Sequence, residues 1–258
     1  MSLKNKILAV VSFLLILTSI LIIFVGNSGK QRVQKSLAKP VNVGKRYAWQ
    51  MTIEENLSRM QKNAESLESA YEIKMALKNN DLKELEKHAN IFFDLMKEQG
   101  VFTQLEIYNS EGKPVYSSNE ISNQVQQITK QALKSLSYES GLEYNSSGNL
   151  VLGLAIPIKS RKKIYGVGVY NLSMAPITIQ VSERDESDIF IVSNNGKLDA
   201  GSNISLFESL KLRLPELGST DLFTVQTDKS AFSIALQPII GLNKQAIAHL
   251  ISIQDTTE

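Results

Sequence analysis

Leu105-Glu106-Ile107-Tyr108, then Asn109-Ser110-Glu111-Gly112-Lys113, then Pro114-Val115-Tyr116-Ser117-Ser118: an apolar run, a glycine turn and a second short run. The same grammar returns at Ile189-Phe190-Ile191-Val192, with its turn at Ser193-Asn194-Asn195-Gly196-Lys197. Gly112 and Gly196 supply the positive φ that tight hairpin turns demand, and the Asn and Ser residues before them bond within such turns. Gly112 lies 45 residues before Pro157 in Ile156-Pro157-Ile158, and Gly196 lies 42 before Pro238 in Gln237-Pro238-Ile239. The matched spacing predicts a duplicated unit rather than one continuous sheet.

Strand-like runs follow each turn. Val101 to Tyr108, Pro114 to Ser117, Gly141 to Tyr144, Leu150 to Ile158 and Lys163 to Leu172 read as strands, with a helix over Ile121 to Leu136. The second unit repeats this over Asp188 to Val192, Lys197 to Ala200, a short helix at Ser205 to Leu214, then Leu222 to Thr227, Ala231 to Ile239 and Gln245 to Gln254. Sheets interrupted by helices on one face define an α+β class. Ahead of them the chain reads helical from Val43 to Leu77, with Ile53, Leu57, Met60, Ala64, Leu67 and Tyr71 recurring at alternating spacings of four and three. Asp81 is placed as the N-cap of a second helix, Leu82 to Gln99, that ends at Gly100.

At 258 residues the chain can hold one or two domains, and 43% hydrophobic with 21% charged residues excludes wholesale disorder. With no cysteine, disulfides, thiolate catalysis and Cys-based metal sites are excluded together. The net charge of +2 hides an asymmetry: residues 1–46 carry eight Lys or Arg and no acid, while residues 183–258 are acidic. The basic character therefore belongs to the N-terminus and not to a nucleic-acid surface.

Ile7 to Val25 is a run of nineteen residues without a charge. At ~1.5 Å per residue it spans a ~30 Å hydrocarbon layer, longer than a signal-peptide core of ~7 to 15 residues, so an uncleaved anchor is expected. Lys30, Arg32, Lys35 and Lys39 after the span outnumber Lys4 and Lys6 before it, which by the literal charge rule turns the chain inward. A short basic leader before a first apolar helix, and the ease with which long domains translocate, set the opposite expectation: residues 1–6 inside and the bulk outside.

The opening helices with the Ile73 to Leu82 stretch, the Leu105 to Gly112 hairpin, Gly141-Leu142-Glu143-Tyr144, Leu154-Ala155-Ile156-Pro157-Ile158 and Ile164 to Val169 resemble double Cache sensor domains. The closing Ile251-Ser252-Ile253-Gln254-Asp255-Thr256 is similar to the last strand of PAS-like modules. The resemblance covers most of residues 45–258. It implies a periplasmic ligand-sensing region on the bacterial inner membrane: a linker and stalk over 26–99, a membrane-distal module over 100–182 and a smaller membrane-proximal module over 183–258. It also implies an output beyond residue 258 of the chemoreceptor, histidine kinase or diguanylate cyclase type. The family's amino-acid-binding pattern maps onto no clear set of residues here.

No catalytic constellation emerges. Gly166-x-Gly168 sits in a strand pattern and precedes no helix, no Gly-x-Ser-x-Gly elbow occurs, and His88 and His249 stand apart without metal-ligand spacing. No cofactor is expected. A concave sheet face in the first module offers Tyr116, Tyr144, Arg161, Tyr165, Tyr170 and Asn171 as candidate ligand groups, with Arg161 able to pair with a carboxylate. Two classes stay open: a sensor of a small molecule, or an anchored module that homodimerises through the Ile53 to Tyr71 stripe and binds none.

Overall fold

The computed structural model describes residues 18–19, 42–119, 125–160, 163–210, 217, 222–227 and 230–257. The expected anchor, Ile7 to Val25, therefore lies outside the described residues except for Thr18 and Ser19, which are helical. Among the described residues no helix is long and apolar enough to cross a membrane. Residues 45–258 form one compact unit.

That unit is α+β and duplicated. Helices α1 (42–62), α2 (Ala64–Glu68), α3 (Tyr71–Asn79) and α4 (Leu82–Glu98) lead into β1 (Gln104–Asn109) and β2 (Pro114–Ser117). There follow α5 (Gln127–Ser135), β3 (Glu139–Tyr144), β4 (Leu150–Ser160), β5 (Lys163–Ser173) and α6 (Met174–Asp185). The second module runs β6 (Asp188–Ser193), β7 (Leu198–Gly201), α7 (Ile204–Leu210), β8 (Leu222–Gln226), β9 (Ala231–Ile240) and β10 (Ala246–Asp255). The sheets have orders β2-β1-β5-β4-β3 and β7-β6-β10-β9-β8, the same permutation twice.

Register carries the duplication to single residues. Tyr108 faces Val167, which faces Pro157, in the first sheet; Val192 faces His249, which faces Pro238, in the second. The β1–β2 pairing shifts between Ile107 and Tyr108, and β6–β7 shifts between Ile191 and Val192. Gly112 and Gly196 take φ of 80° and 81°.

One face of each sheet packs on the leading helices. Leu105, Ile107, Leu154, Tyr170, Ile191 and Leu250 share a continuous core with Met60, Leu67, Leu85 and Phe102. The opposite face of the first sheet is covered by α5, where Ile128 and Ala132 meet Tyr108, Ala155 and Val169. The opposite face of the second is covered by α7, where Phe207 packs on Phe190 with ring centroids 5.3 Å apart. Gly168 leaves the space that Leu67 of α2 fills.

The single helix expected from Val43 to Leu77 breaks twice. Asn63 donates to the Arg59 carbonyl at 2.8 Å and Ser69 to the Glu65 carbonyl at 2.7 Å, so polar side chains compete for the backbone where the breaks fall. The breaks rotate the apolar stripe: Met60, Ala64 and Leu67 are fully buried against the chain's own sheet, Ile73 takes over, and Tyr71 points outward. The Asp81 cap is observed, accepting from the Glu84 amide at 3.2 Å. Helix α6 has no counterpart in the sequence reading; Pro176 falls in its first turn, where proline is tolerated, and Ile177, Thr178 and Ile179 disguise it as strand.

The modules touch at a hairpin. The β9–β10 turn, Gly241 to Gln245, reaches the first module, and Leu242 lies where a Cβ on Gly141 of β3 would be, 2.4 Å from its methyl carbon. Gly141→Val will drive the two modules apart at this point and lower stability by about 1 to 3 kcal/mol, the usual cost of overpacking, read as a lower denaturant midpoint at unchanged slope.

Candidate functional site

β1 sits between β2 and β5, and both its faces are covered, one by the helical core and the other by α5. Leu105 and Ile107 point to the helical core, while Gln104, Glu106 and Tyr108 point to the α5 side, all buried. Tyr108 donates its hydroxyl to Glu106 Oε2, and Gln104 Nε2 and Ser146 Oγ donate to Oε1 at 2.7 and 2.9 Å. Asn145 Nδ2 donates to Gln104 Oε1 at 3.0 Å. Burial, with Glu106 adjoining, raises the Tyr108 pKa, so the hydroxyl stays protonated and donating.

Glu143 on β3 completes a pair of buried carboxylates with Glu106, 9% and 3% exposed. Its Oε2 accepts from the Gln127 amide at 2.9 Å and the Ile128 amide at 3.4 Å, capping α5. Among the described residues its Oε1 is buried with no partner, as are both side-chain polar atoms of Gln126, Thr129 Oγ1, and both side-chain polar atoms of Asn171. Burial pushes the Glu143 carboxyl up to about 7, against the pull of the two α5 amides.

Glu143 and Gln126 border a cavity of about 380 Å³, which Thr129 and Asn171 do not line. Gln126, Lys130, Glu143, Tyr144, Asn145 and Ser146 form its walls from the first module, and Leu242, Asn243 and Ile247 close it from the second. Glu106 lies one hydrogen bond behind the wall, through Ser146.

Of the six candidate residues, the structure brings Tyr144 and Asn171 to this region. Tyr144 lines the cavity and donates to Asp199 Oδ2 of β7 at 2.9 Å, tying the modules together. Asn171 is fully buried on β5, with Gly153 and Ile128 beside it. Tyr116 and Tyr170 point to the other face: Tyr116 donates to Asn90 Oδ1 of α4 at 2.8 Å, and Tyr170 to the Asn63 carbonyl at 3.2 Å while stacking on Phe102 at 4.3 Å. Tyr165 is half-buried under the Lys163 ammonium, 5.7 Å from the ring centroid, and Arg161 lies outside the described residues. Glu106, Glu143, Gln126 and Asn145 were not singled out from sequence; the signal was an acid alternating with Leu and Ile in a strand flanked by others.

The histidines are separate. His88 pairs with Glu84 at 3.1 Å on α4, and His249 is buried in β10 with neither ring nitrogen partnered, desolvation holding its pKa below the usual value. Among the described residues no group of three or more His, Asp or Glu is placed to hold a metal.

The architecture recurs in solved structures. The sensor domain of the V. cholerae histidine kinase DctB superposes with a TM-score of 0.53 at 11% identity, covering 87% of this chain and 99% of that one. The fold is that of the double Cache sensor domains. A domain of a putative sensory box/GGDEF family protein from Vibrio parahaemolyticus shares it, with a TM-score of 0.51, 13% identity and coverage of 86% and 97%. So does the sensory domain of the Campylobacter jejuni chemoreceptor Tlp3 with isoleucine bound, at 0.50, 13%, and 88% and 96%. No protein-family profile matches the sequence, and no curated protein aligns significantly with it. In double Cache terms, the cavity belongs to the first module, and its outer wall to the β9–β10 hairpin of the second.

Proposed function

We propose that residues 45–258 are the ligand-sensing region of a bacterial transmembrane signalling receptor, with the small-molecule site in the first module between the sheet and α5. The observation that carries this reading is the cavity of about 380 Å³ beside β3 and the start of α5, two of whose lining residues, Glu143 and Gln126, carry buried side-chain polar atoms without a partner among the described residues. Native interiors pair such atoms with protein, ordered water or a ligand. The fold shared with the Tlp3 and DctB sensor domains supports the same reading.

In this proposal Ile7 to Val25 anchors the chain, the sensor lies outside the membrane, and occupancy is passed through α1 and β10. Tyr144 and Asn171 belong to the site with Glu143, Gln126 and Asn145. A second copy pairs along the outward face of α1, where Tyr47 is exposed, since the Met60 to Leu67 stripe is consumed within the chain.

The test is a thermal-shift screen of the full chain in nanodiscs, followed through Trp49 fluorescence, against amino acids, amines and organic acids. A ligand at about a hundred times its Kd adds ~2.7 kcal/mol, a rise in Tm of about 5 to 10 °C for a chain of this size. No rise with any compound, together with a stable dimer, establishes the anchored structural module instead.

A further inference from the structure

We propose that the second module is an acid-responsive element whose proton acceptor is His249: charging the imidazole expels it from an apolar layer and loosens the β9–β10 hairpin from the first module. The inference goes beyond ligand sensing and does not depend on any ligand.

The duplicated register isolates this residue. His249 of β10 pairs with Val192 and Pro238; in the first sheet Val167 holds the equivalent place, between Tyr108 and Pro157. Val167 is fully buried in an apolar cluster with Tyr108, Ile128, Ala132 and Val169. A valine suits such a layer. His249 is 8% exposed, and neither ring nitrogen has a partner among the described residues. Its cross-strand neighbour Val192 belongs to the apolar cluster of Phe207, Leu210 and Ile251, on the α7 side of the sheet. A neutral imidazole gives up its hydrogen bonds to water there, and a charged one gives up far more.

No described charge compensates it. Strands β8 and β9 contain no ionisable residue. On β6, Asp188 stands opposite Ile253, four residues or about 13 Å along the strand from Val192. Asp255 lies at the far end of β10. Asp199 of β7 accepts from Tyr144, Glu208 of α7 is exposed, and Lys197 and Lys244 lie in exposed turns. Lys130 and Glu143 of the first module line the cavity with Ile247. None of these charges shifts the imidazole; burial alone holds its pKa below the ordinary 6.5.

The position couples that proton to the hairpin. Two residues before His249, Ile247 lines the cavity, and the turn Gly241 to Gln245 carries Leu242 against Gly141 of β3. Asn194 of the neighbouring turn donates to the Ala246 carbonyl at 3.0 Å. Displacing the ring therefore disturbs the strand end from which the hairpin reaches the first module.

Melting of the full chain in nanodiscs, without ligand, tests this in the wild-type protein and in His249→Val, which copies Val167; His249→Gln, polar and uncharged, serves where the valine variant misfolds. The unfolded chain takes up this proton near pH 6.5 and the folded chain only at lower pH, so the wild-type protein carries no penalty above about 6.5 and loses stability below it. Its Tm will fall relative to His249→Val by up to about 3 to 5 °C for each pH unit below that point. Glu143 titrates with the opposite sign and His88 pairs with Glu84 on α4, but both are common to the two proteins and drop out of the difference. Amide exchange, corrected for the pH dependence of its intrinsic rate, will rise at pH 5 across residues 241–251 before it rises in the first sheet, and only where His249 is present. A Tm difference unchanged between pH 7.5 and 5 overturns the inference. So does exchange that rises evenly through both modules, which would make His249 a costly core residue without a local response.

Discussion

Without ligand at pH 8, Glu143→Gln will melt higher than the wild-type protein, and the difference will close as the pH is lowered to 4. In the folded chain burial raises the carboxyl from its ordinary 4.5 to about 7, so the folded state holds this proton more tightly than the unfolded state does. Stability from this group is therefore complete below about 4.5 and is lost as the pH rises toward 7, with a ceiling of about 3 kcal/mol above that. Glutamine keeps an oxygen for the Gln127 and Ile128 amides and has nothing to ionise, so its profile is flat across the window. Besides burial, Glu106 of β1 opposes its ionisation and the Ile128 and Gln127 amides of α5 favour it. Differential scanning calorimetry at pH 4, 6 and 8 reads the difference and its closing. Coincident profiles would reduce Glu143 to a helix cap.

That carboxylate was hidden in the sequence for a physical reason. In Gln104-Leu105-Glu106-Ile107-Tyr108 the alternation of polar and apolar residues is the signature of a strand with one face in water, and sequence alone does not say that α5 covers the polar face. Glu143 carries the same ambiguity in Gly141-Leu142-Glu143-Tyr144. The tyrosines were easier to see and less informative: Tyr116 and Tyr170 are large β-formers whose rings fill the helical core and whose hydroxyls reach single partners on α4 and at Asn63.

What the sequence did display was whatever backbone geometry forces. Positive φ at Gly112 and Gly196 restricts the residue type, and the spacing to Pro157 and Pro238 survives because both prolines occupy the same register in their sheets. The duplication itself followed from that spacing. The kinks at Asn63 and Ser69 did not, because a side chain that bonds back to the i−4 carbonyl leaves the 3.6-residue periodicity readable on both sides of the break. Nor did the buried face of α1, which carries Lys45, Thr52 and Asn56 where an apolar stripe was sought.

Those polar residues lead to the largest expected loss of stability. Asp185→Ala will destabilise the protein by about 3 to 5 kcal/mol, the range for removing one member of a buried ion pair. The Lys45 ammonium, 6% exposed, donates to Asp185 Oδ2 and to Ser252 Oγ, each at 2.7 Å, and Ser187 bonds both Asp185 and Ser252. One cluster thus ties the start of α1 to the C-terminus of α6 and to the last strand, β10. With the aspartate gone, the lysine must either stay buried without a counter-ion or pull α1 away. The double substitution Lys45→Met/Asp185→Leu separates the ion pair from packing at the same place: it will recover most of the loss, because well-packed apolar replacements of a buried pair are often neutral. Chemical denaturation of the wild-type protein, Lys45→Met, Asp185→Leu and the double mutant closes the cycle. A loss below about 1 kcal/mol for Asp185→Ala, the level of an exposed pair, would show that solvent reaches this cluster and that α1 and β10 are not joined through it. A full loss with recovery would make this cluster the place where α1 and the last strand move together, and amide exchange at Ser252 and Ile253 should rise in Asp185→Ala before it rises elsewhere in β10.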